Sequence, residues 1–392
     1  MRVRRTAQLV TAAAAVVACV SAAGPALATV SRAARPVPRF RARVVLDGAR
    51  LQHTFTPGGT ATRKTEPLSS PDDITMLGGH LFAGFQNGVG PQGEPSADGN
   101  TDSTVVEFTT AGRVLGQWDI KGKCDGLTAD PRAHFVIATV NEDAHSSLYT
   151  IRPGGTPGSR VRHYAYSKPL PHFGGTDAIS VDRGTVLISA SAPGTTGKPA
   201  PQPGYPAVYV ARFHPARHQV SVQPLFYDEA TARVANVGRN LGTRVRLALV
   251  DPDSNEVVPA GAARFGGDFM LTSQGDQEQI FVARGRGALA LRVLHLSRSV
   301  DDTAWVRTRS GRLFGSNTAG GTVDVVTGPF RRGEIFTAVT PCDQNDAPAT
   351  CPAPGFPANY LGTLNPWTGR LTRVALRGPA FGPQGMIFVP AG

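Results

Sequence analysis

From Pro71 onward the chain is a succession of short runs in which apolar and polar residues alternate, each bounded by Gly, Pro or Asp. Alternation with period two puts successive side chains on opposite faces of a strand, and the bounding residues are those that turn a hairpin. Ile74 to Leu77, Leu81 to Phe85, Thr104 to Phe108 and Val114 to Trp118 make a first set of four runs. Leu127 to Ala129, Phe135 to Val140, Leu148 to Ile151 and Val161 to Tyr166 repeat it. A third set comprises Ala178 to Val181, Val186 to Ala190, Ala207 to Phe213 and Val220 to Phe226, interrupted by the Pro-rich insertion GKPAPQPGYPA. The sets open on Asp72, Asp125 and Asp177, which lie 53 and 52 residues apart. Four short strands repeated at this period are the mark of a β-propeller blade.

Beyond Tyr227 the pattern loosens, and residues 229–246 read equally as a short helix or an irregular insertion. Strand-like runs return after Asp253 with Phe269 to Thr272 and Ile280 to Ala283. A fifth unit opens at Asp301-Asp302 and takes in Ala304 to Arg307, Leu313-Phe314, Val323 to Val326 and Ile335 to Val339. Tyr360 to Leu364 and Leu371 to Ala375 form a hairpin, and Gln384-Gly385-Met386 opens a sixth unit too close to the end to complete itself. Its missing strands are expected from Arg43 to Phe55, since joining the two ends removes two exposed sheet edges. The expected fold is therefore all-β, a six-bladed β-propeller closed by pairing of the N- and C-terminal strands within one domain, residues 43–392. Five or seven blades also fit the looser stretches.

Composition agrees: 45 glycines and 32 prolines with only 18% charged residues suit many strands and turns. Residues 1–28 read as a secretory signal, with Arg2, Arg4 and Arg5 before an alanine-rich apolar stretch and Ala26-Leu27-Ala28 as a cleavage site. The stretch is a poor membrane span. Val16 to Cys19 also resembles a lipobox, which would anchor the chain through Cys19, and Arg4-Arg5 a weak twin-arginine signal. A secreted monomer is expected. Eight of the eleven net positive charges fall before Val44, five of them within or beside a basic leader over residues 29–42. That leader reads as a solvated arm, or as one drawn to an anionic envelope polymer. Nucleic acid is not an expected partner, because no aromatic residues interleave with the arginines apart from Phe40; a small molecule or an extracellular polymer is. Cys342 and Cys351 bracket a short loop and would form a disulfide in an oxidising compartment. Cys124 is left as a buried thiol or, less in keeping with its surroundings, a nucleophile. His214 and His218 have a ligand-like spacing but fall in a turn, and neither a Gly-x-Ser-x-Gly elbow nor a His-Glu-x-x-His pair occurs.

In a propeller the innermost strands begin around one end of the central channel. Asp72 or Asp73, Asp125, Asp177, Asp301 or Asp302 and Gln384 would meet there, with Gln86, Asn87, Asn141, Glu142, Asp143, Gln274, Asp276 and Asn317 around them. Carboxylates crowded at one opening must take up protons, be solvated, or share a cation, and oxygen-only donors suit Ca²⁺. The candidate metal set is Asp72, Asp125, Asp177, Asn141 and Asp302. Each aspartate could equally cap a turn by accepting backbone N–H groups.

The pieces CDGLTADPRAHFVIATVN and TDAISVDRGTVLISAS resemble the repeats of the NHL and SMP-30/gluconolactonase-like six-bladed propellers. The resemblance implies a divalent cation at the channel mouth that assists lactone hydrolysis, held by residues at the starts of inner strands. Asp125 and Asp177 match those positions, and Asp72 and Asp73 stand where the family has a glutamate. A cation-assisted hydrolase is one expectation, and a non-catalytic propeller that binds a glycan, peptide or protein is the other.

Overall fold

The computed structural model describes residues 39–156, 160–171, 174–191, 204–283, 289–341 and 359–391. The signal, most of the leader, Cys19, much of the Pro-rich insertion and the Cys342–Cys351 loop lie outside the described residues.

Twenty-four of the strands sort into six antiparallel sets of four. The first is Pro71–Leu77, His80–Phe85, Asp102–Phe108 and Val114–Lys121; the second is Cys124–Asp130, Phe135–Val140, Ser147–Ile151 and Val161–Tyr166. The third is Ile179–Asp182, Thr185–Ser189, Pro206–His214 and Gln219–Tyr227, and the fourth is Pro252–Val257, Phe269–Ser273, Glu278–Ala283 and Ala290–His295. The innermost strands touch in a closed cycle, each against the next, with Met386–Pro390 returning to Pro71–Leu77. The protein is a β-propeller.

Alternation explains why the sets stack. Leu81, Ala83 and Phe85 face a cluster that includes Phe314, Val323 and Val325 of the sixth set, whereas Phe82, between them, faces Leu127, Val136 and Ala138 of the second. Each central strand is thus buried on both faces, and its apolar content is nearly continuous. Six such clusters fill the six seams between neighbouring sets.

Three expectations need correction. Residues 229–246 contain no helix: Thr231–Val234 and Arg244–Arg246 form a hairpin that extends the fourth blade, with Thr231–Val234 parallel to Ala290–His295. Gly311–Asn317 and Thr322–Thr327 do not belong to the fifth blade, which consists of Val300–Trp305, Ile335–Val339, Tyr360–Leu364 and Leu371–Arg373. The chain crosses from Val300–Trp305 into the sixth blade, makes its two middle strands, and returns. The terminal strands share that blade: Phe40–Asp47 pairs in parallel with the C-terminal strand Leu376–Arg377, while Met386–Pro390 forms the inner edge. Phe40–Asp47 lies on Thr322–Thr327, and Met386–Pro390 on Gly311–Asn317. The second half of the proposed N-terminal donor, Gln52–Phe55, pairs instead with Lys64–Pro67 in a separate hairpin.

A recurring irregularity prepares the channel. Pairing shifts register between Pro71 and Ile74, Cys124 and Leu127, Pro252 and Asn255, and Val300 and Thr303. Such bulges re-aim side chains at the start of a strand, and here they fall on Asp72, Asp125, Asp253 and Asp301. In the second and sixth blades the position after the start residue sits at a close approach between inner strands. A Cβ at Gly126 would stand 2.4 Å from Thr139 Oγ1 and 2.6 Å from the Asp177 carbonyl oxygen, and one at Gly385 2.6 Å from that of Asp72. Glycine is what lets neighbouring blades close there.

Candidate functional site

At the end of the channel where the inner strands begin lies a cavity of about 310 Å³. Its lining carries ten carboxylates (Asp72, Asp73, Asp125, Glu142, Asp177, Asp251, Asp253, Glu256, Asp301 and Asp302) against two cationic side chains, Lys123 and Arg307. Asp72, Asp125, Asp177, Asp253, Asp301 and Gln384 occupy the same place in six successive blades.

The aspartates divide into two kinds. Asp73 and Asp302 are latches. Asp73 accepts from its own neighbour Ile74 N–H and from Leu127 N–H of the next blade, both at 2.6 Å. Asp302 repeats this with Thr303 at 2.6 Å and Met386 at 2.5 Å. The turn-capping role foreseen for the start aspartates falls to these two, stretched across the seam between blades. Asp72, Asp177 and Asp253 are the other kind: among the described residues their carboxylates accept no hydrogen bond. Burial raises the pKa of each well above the ordinary aspartate range, and the charges of neighbouring carboxylates raise it further.

Asp125 differs from both. It is 4% exposed, and its Oδ1 accepts from Gln86 Nε2 at 3.0 Å and meets Lys123 Nζ at 2.9 Å, while Oδ2 is buried without a partner. The same ammonium bonds Glu142. Burial alone would lower the Lys123 pKa, but Asp125, Glu142 and Asp72 more than reverse that and raise it. A side-chain cation therefore fills the acidic corner of the second blade.

Of the five residues expected to hold a metal, the structure brings Asp72, Asp125 and Asp177 to the cavity wall. Asn141 does not join them. Its backbone takes the left-handed conformation at φ 68°, its side-chain oxygen accepts the Lys123 N–H at 2.9 Å, and its amide donates to the His145 carbonyl at 3.3 Å. Asp302 borders the cavity, but both its oxygens serve the latch. Asn87 and Asn317 are likewise spent on local loops, through Ser69 N–H and Thr104 Oγ1 for the first and Asp324 and the Ala380 carbonyl for the second. Sequence reasoning missed Lys123, Asp251 and Arg307 and left Asp253 out of the set. Asp253 has the signature of the others, an Asp opening an inner strand. Among the described residues no group of three or more His, Cys, Asp or Glu side chains is arranged to enclose a metal ion.

Cys124 is fully buried and free, and burial pushes its thiol up and away from the reactive thiolate. It packs against Gly84, where an added Cβ would lie 2.8 Å from its sulfur. Its place is in the wall. His214 bonds Ser221 Oγ at 2.8 Å, and His218 is a left-handed cap. Among the described residues no helix is long and apolar enough to cross a membrane.

The crowding of carboxylates has a measurable sign. Burial, with the charge of Asp302, raises the Asp301 pKa to about 8, and burial raises that of Asp302 to about 7. Between an unfolded value near 3.9 and these folded values the native state binds more protons than the unfolded one, so stability is full at low pH and is lost as pH rises through the folded pKa. Each such carboxylate contributes about 1.4 kcal/mol per pH unit inside that window. Thermal midpoints are expected to rise as pH falls from 8 to 5.5, and Asp301→Asn should flatten part of that slope. A midpoint that falls over the same interval, or an unchanged slope in the variant, would contradict the assignment.

No family model matches the chain, and no curated protein does. Solved structures resemble it in chain path. A protein of unknown function from Bacteroides caccae is 11% identical over 90% of this chain and 99% of that one, with a TM-score of 0.44. The periplasmic gluconolactonase of Pseudomonas aeruginosa is 11% identical over 89% and 99%, with a TM-score of 0.42. A streptogramin B lyase is 12% identical over 87% and 94%, with a TM-score of 0.41. At such identities the likeness carries nothing about individual residues or their chemistry.

Proposed function

We propose that the protein is an exported propeller hydrolase acting on an ester or lactone at the acidic end of its channel, with a hard divalent cation, Ca²⁺ by its donors, as cofactor. The observation that carries this reading is the set of carboxylates on Asp72, Asp177 and Asp253, which face one small cavity without hydrogen-bond partners among the described residues. Carboxylates gathered on the wall of one small cavity are stabilised as acids or beside a cation, and their donors are all oxygen. Asp72, Asp177 and Asp253, with the Gln384 side-chain oxygen, are the residues of the cavity wall that would hold the ion, although they are not gathered around a common centre in the structure. Bound there, it would polarise a carbonyl or activate water. Lys123, fixed by Asp125 and Glu142, presents a positive charge to the oxygen on which negative charge develops. Asp301, with its pKa near 8, holds a proton that it can give at neutral pH.

A second reading is a propeller that binds a cationic ligand without turnover. It draws on Lys123, which already supplies a cation to the second blade.

The test begins with stability. Millimolar Ca²⁺ at pH 8 should raise the thermal midpoint by a few degrees, as a ligand at about a hundred times its Kd adds about 2.7 kcal/mol. The double variant Asp177→Asn with Asp253→Asn should lose the response. A wild-type protein that binds no metal on elemental analysis and shows no midpoint change would sink the cation. A response to Ca²⁺ without turnover on a panel of lactones and esters would favour the binding propeller.

A further inference from the structure

Away from the channel, the outer edges of the fourth and fifth blades meet in a surface of a different character. The turn between Thr231–Val234 and Arg244–Arg246 exposes Val237 at 52% and Leu241 at 53%, and beside it Trp367 is 47% exposed. Large apolar side chains this bare and this close together mark an interaction surface rather than scatter. They are held firmly. Val237 N–H donates to the Trp367 carbonyl at 2.7 Å, and Asn236 Nδ2 donates to the carbonyls of His295 and Thr368, each at 2.8 Å.

The charge around them has one sign. Residues 230–249, 289–300 and 359–373, which build this edge, contain no aspartate or glutamate. Arg239, Arg244, Arg298 and Arg370 are exposed there, and no carboxylate pairs with them among the described residues. Arg264 adds a charge at the centre. Its guanidinium lies 4.7 Å over the Trp367 ring and 4.6 Å over that of Phe265, and donates to the carbonyls of Pro366 and Ala235 instead of a carboxylate. The neighbouring acids are already engaged, Glu229 with Arg246, Asp268 with Arg292 and Glu278 with His295.

We propose that this edge is a peripheral docking surface for an anionic phospholipid bilayer. A Trp and two aliphatic side chains on rigid turns would enter the interfacial layer, and the arginines around them would meet lipid phosphates. The pairing of charge with apolar anchors is what selects a bilayer. A soluble polyanion would use the arginines and leave Val237 and Leu241 in water, and a self-association face would juxtapose like charges across its two-fold axis.

Co-sedimentation of the full-length protein with vesicles of phosphatidylcholine alone, or with a third phosphatidylglycerol, tests this. Binding is expected only to the anionic vesicles, and should weaken as salt is raised. Arg239→Gln with Arg244→Gln should lower the partition coefficient about thirtyfold, at about 1 kcal/mol per arginine near the surface. Leu241→Ser should lower it about tenfold by loss of the buried side chain. All these positions are exposed, so melting curves should match wild type. Failure to bind anionic vesicles overturns the proposal, as does binding that both variants leave unchanged, which would assign it to the basic leader. A dimer dissolved by Leu241→Ser, with no vesicle binding, would overturn it in favour of self-association.

Discussion

A chain that stops at Gly382 is expected to lose its cooperative unfolding transition. The missing residues include Met386–Pro390, the innermost strand of the sixth blade, which pairs from Gly311↔Pro390 to Gly315↔Met386 and touches the inner strands of the fifth and first blades. Met386, Phe388 and Val389 are 5%, 2% and 7% exposed and belong to the cores on both sides of the blade. Truncating single buried Met or Phe side chains costs about 2–5 kcal/mol each. Their combined loss, with five ladder pairs and the Asp302 latch to Met386 N–H, exceeds the roughly 5–15 kcal/mol by which domains are stable. Deleting Phe40–Asp47 should do less, because that strand lies on the outside of the same blade and only Ala42 and Leu46 of it are buried. Circular dichroism melts of the two truncations would show it. A cooperative melt within a few degrees of wild type for the chain ending at Gly382 would mean that the ring does not depend on its last strand.

The parts of this fold that the sequence reveals are those set by local alternation. Three units with equal spacing and an Asp at equal phase sufficed for the first three blades, since each is made of four consecutive strands. The sixth blade was misread because alternation identifies a strand without saying which strand it pairs with. Leu313-Phe314 and Val323 to Val326 follow Val300–Trp305 in the chain, yet their apolar residues are claimed by Phe85, Phe388 and Ala42 from its opposite ends. The same limit applies to the site. Asp72, Asp125 and Asp177 were legible because a repeat fixes their phase, and Asp253 follows the same rule at a point where residues 229–246 had blurred the period. The choice of Asp302 over Asp301 could not be made from composition: whether a carboxylate reaches the cavity or the N–H of Met386, 84 residues away, depends on the bulge. Lys123 had a faint signal. It stands next to the Cys-Asp-Gly-Leu start of the repeat in a chain whose positive charge is overwhelmingly arginine, and a compact ammonium fits between two carboxylates where a planar guanidinium would need more room.

Replacing that ammonium is expected to produce the largest effect of any single substitution at the site. Lys123→Met keeps most of the side-chain volume and removes the charge that Asp125 and Glu142 share. Removing one partner of a buried ion pair leaves the other uncompensated and costs about 3 kcal/mol or more; here two acids lose their partner, and Asp125 Oδ1 keeps only Gln86 Nε2 at 3.0 Å. The deficit should depend on pH in a definite direction. Burial already raises the Asp125 pKa, with Glu142 adding to it and Lys123 opposing it, so the variant raises that pKa further and widens the range in which the native state must bind a proton that the unfolded state does not. Stability is then lost as pH rises through the new folded value, and the gap between variant and wild type is greatest at pH 8 and narrows as the pH falls and Asp125 takes up its proton. Urea unfolding at pH 8 and pH 5 measures it. A deficit below 1 kcal/mol at pH 8, or one that grows as pH falls, would show that Asp125 and Glu142 do not depend on Lys123. The outcome also bears on the cation reading by a separate route: with the ammonium gone, Asp125 and Glu142 become free donors beside Asp72 and Asp177, and Ca²⁺ should restore more stability to Lys123→Met than it adds to wild type.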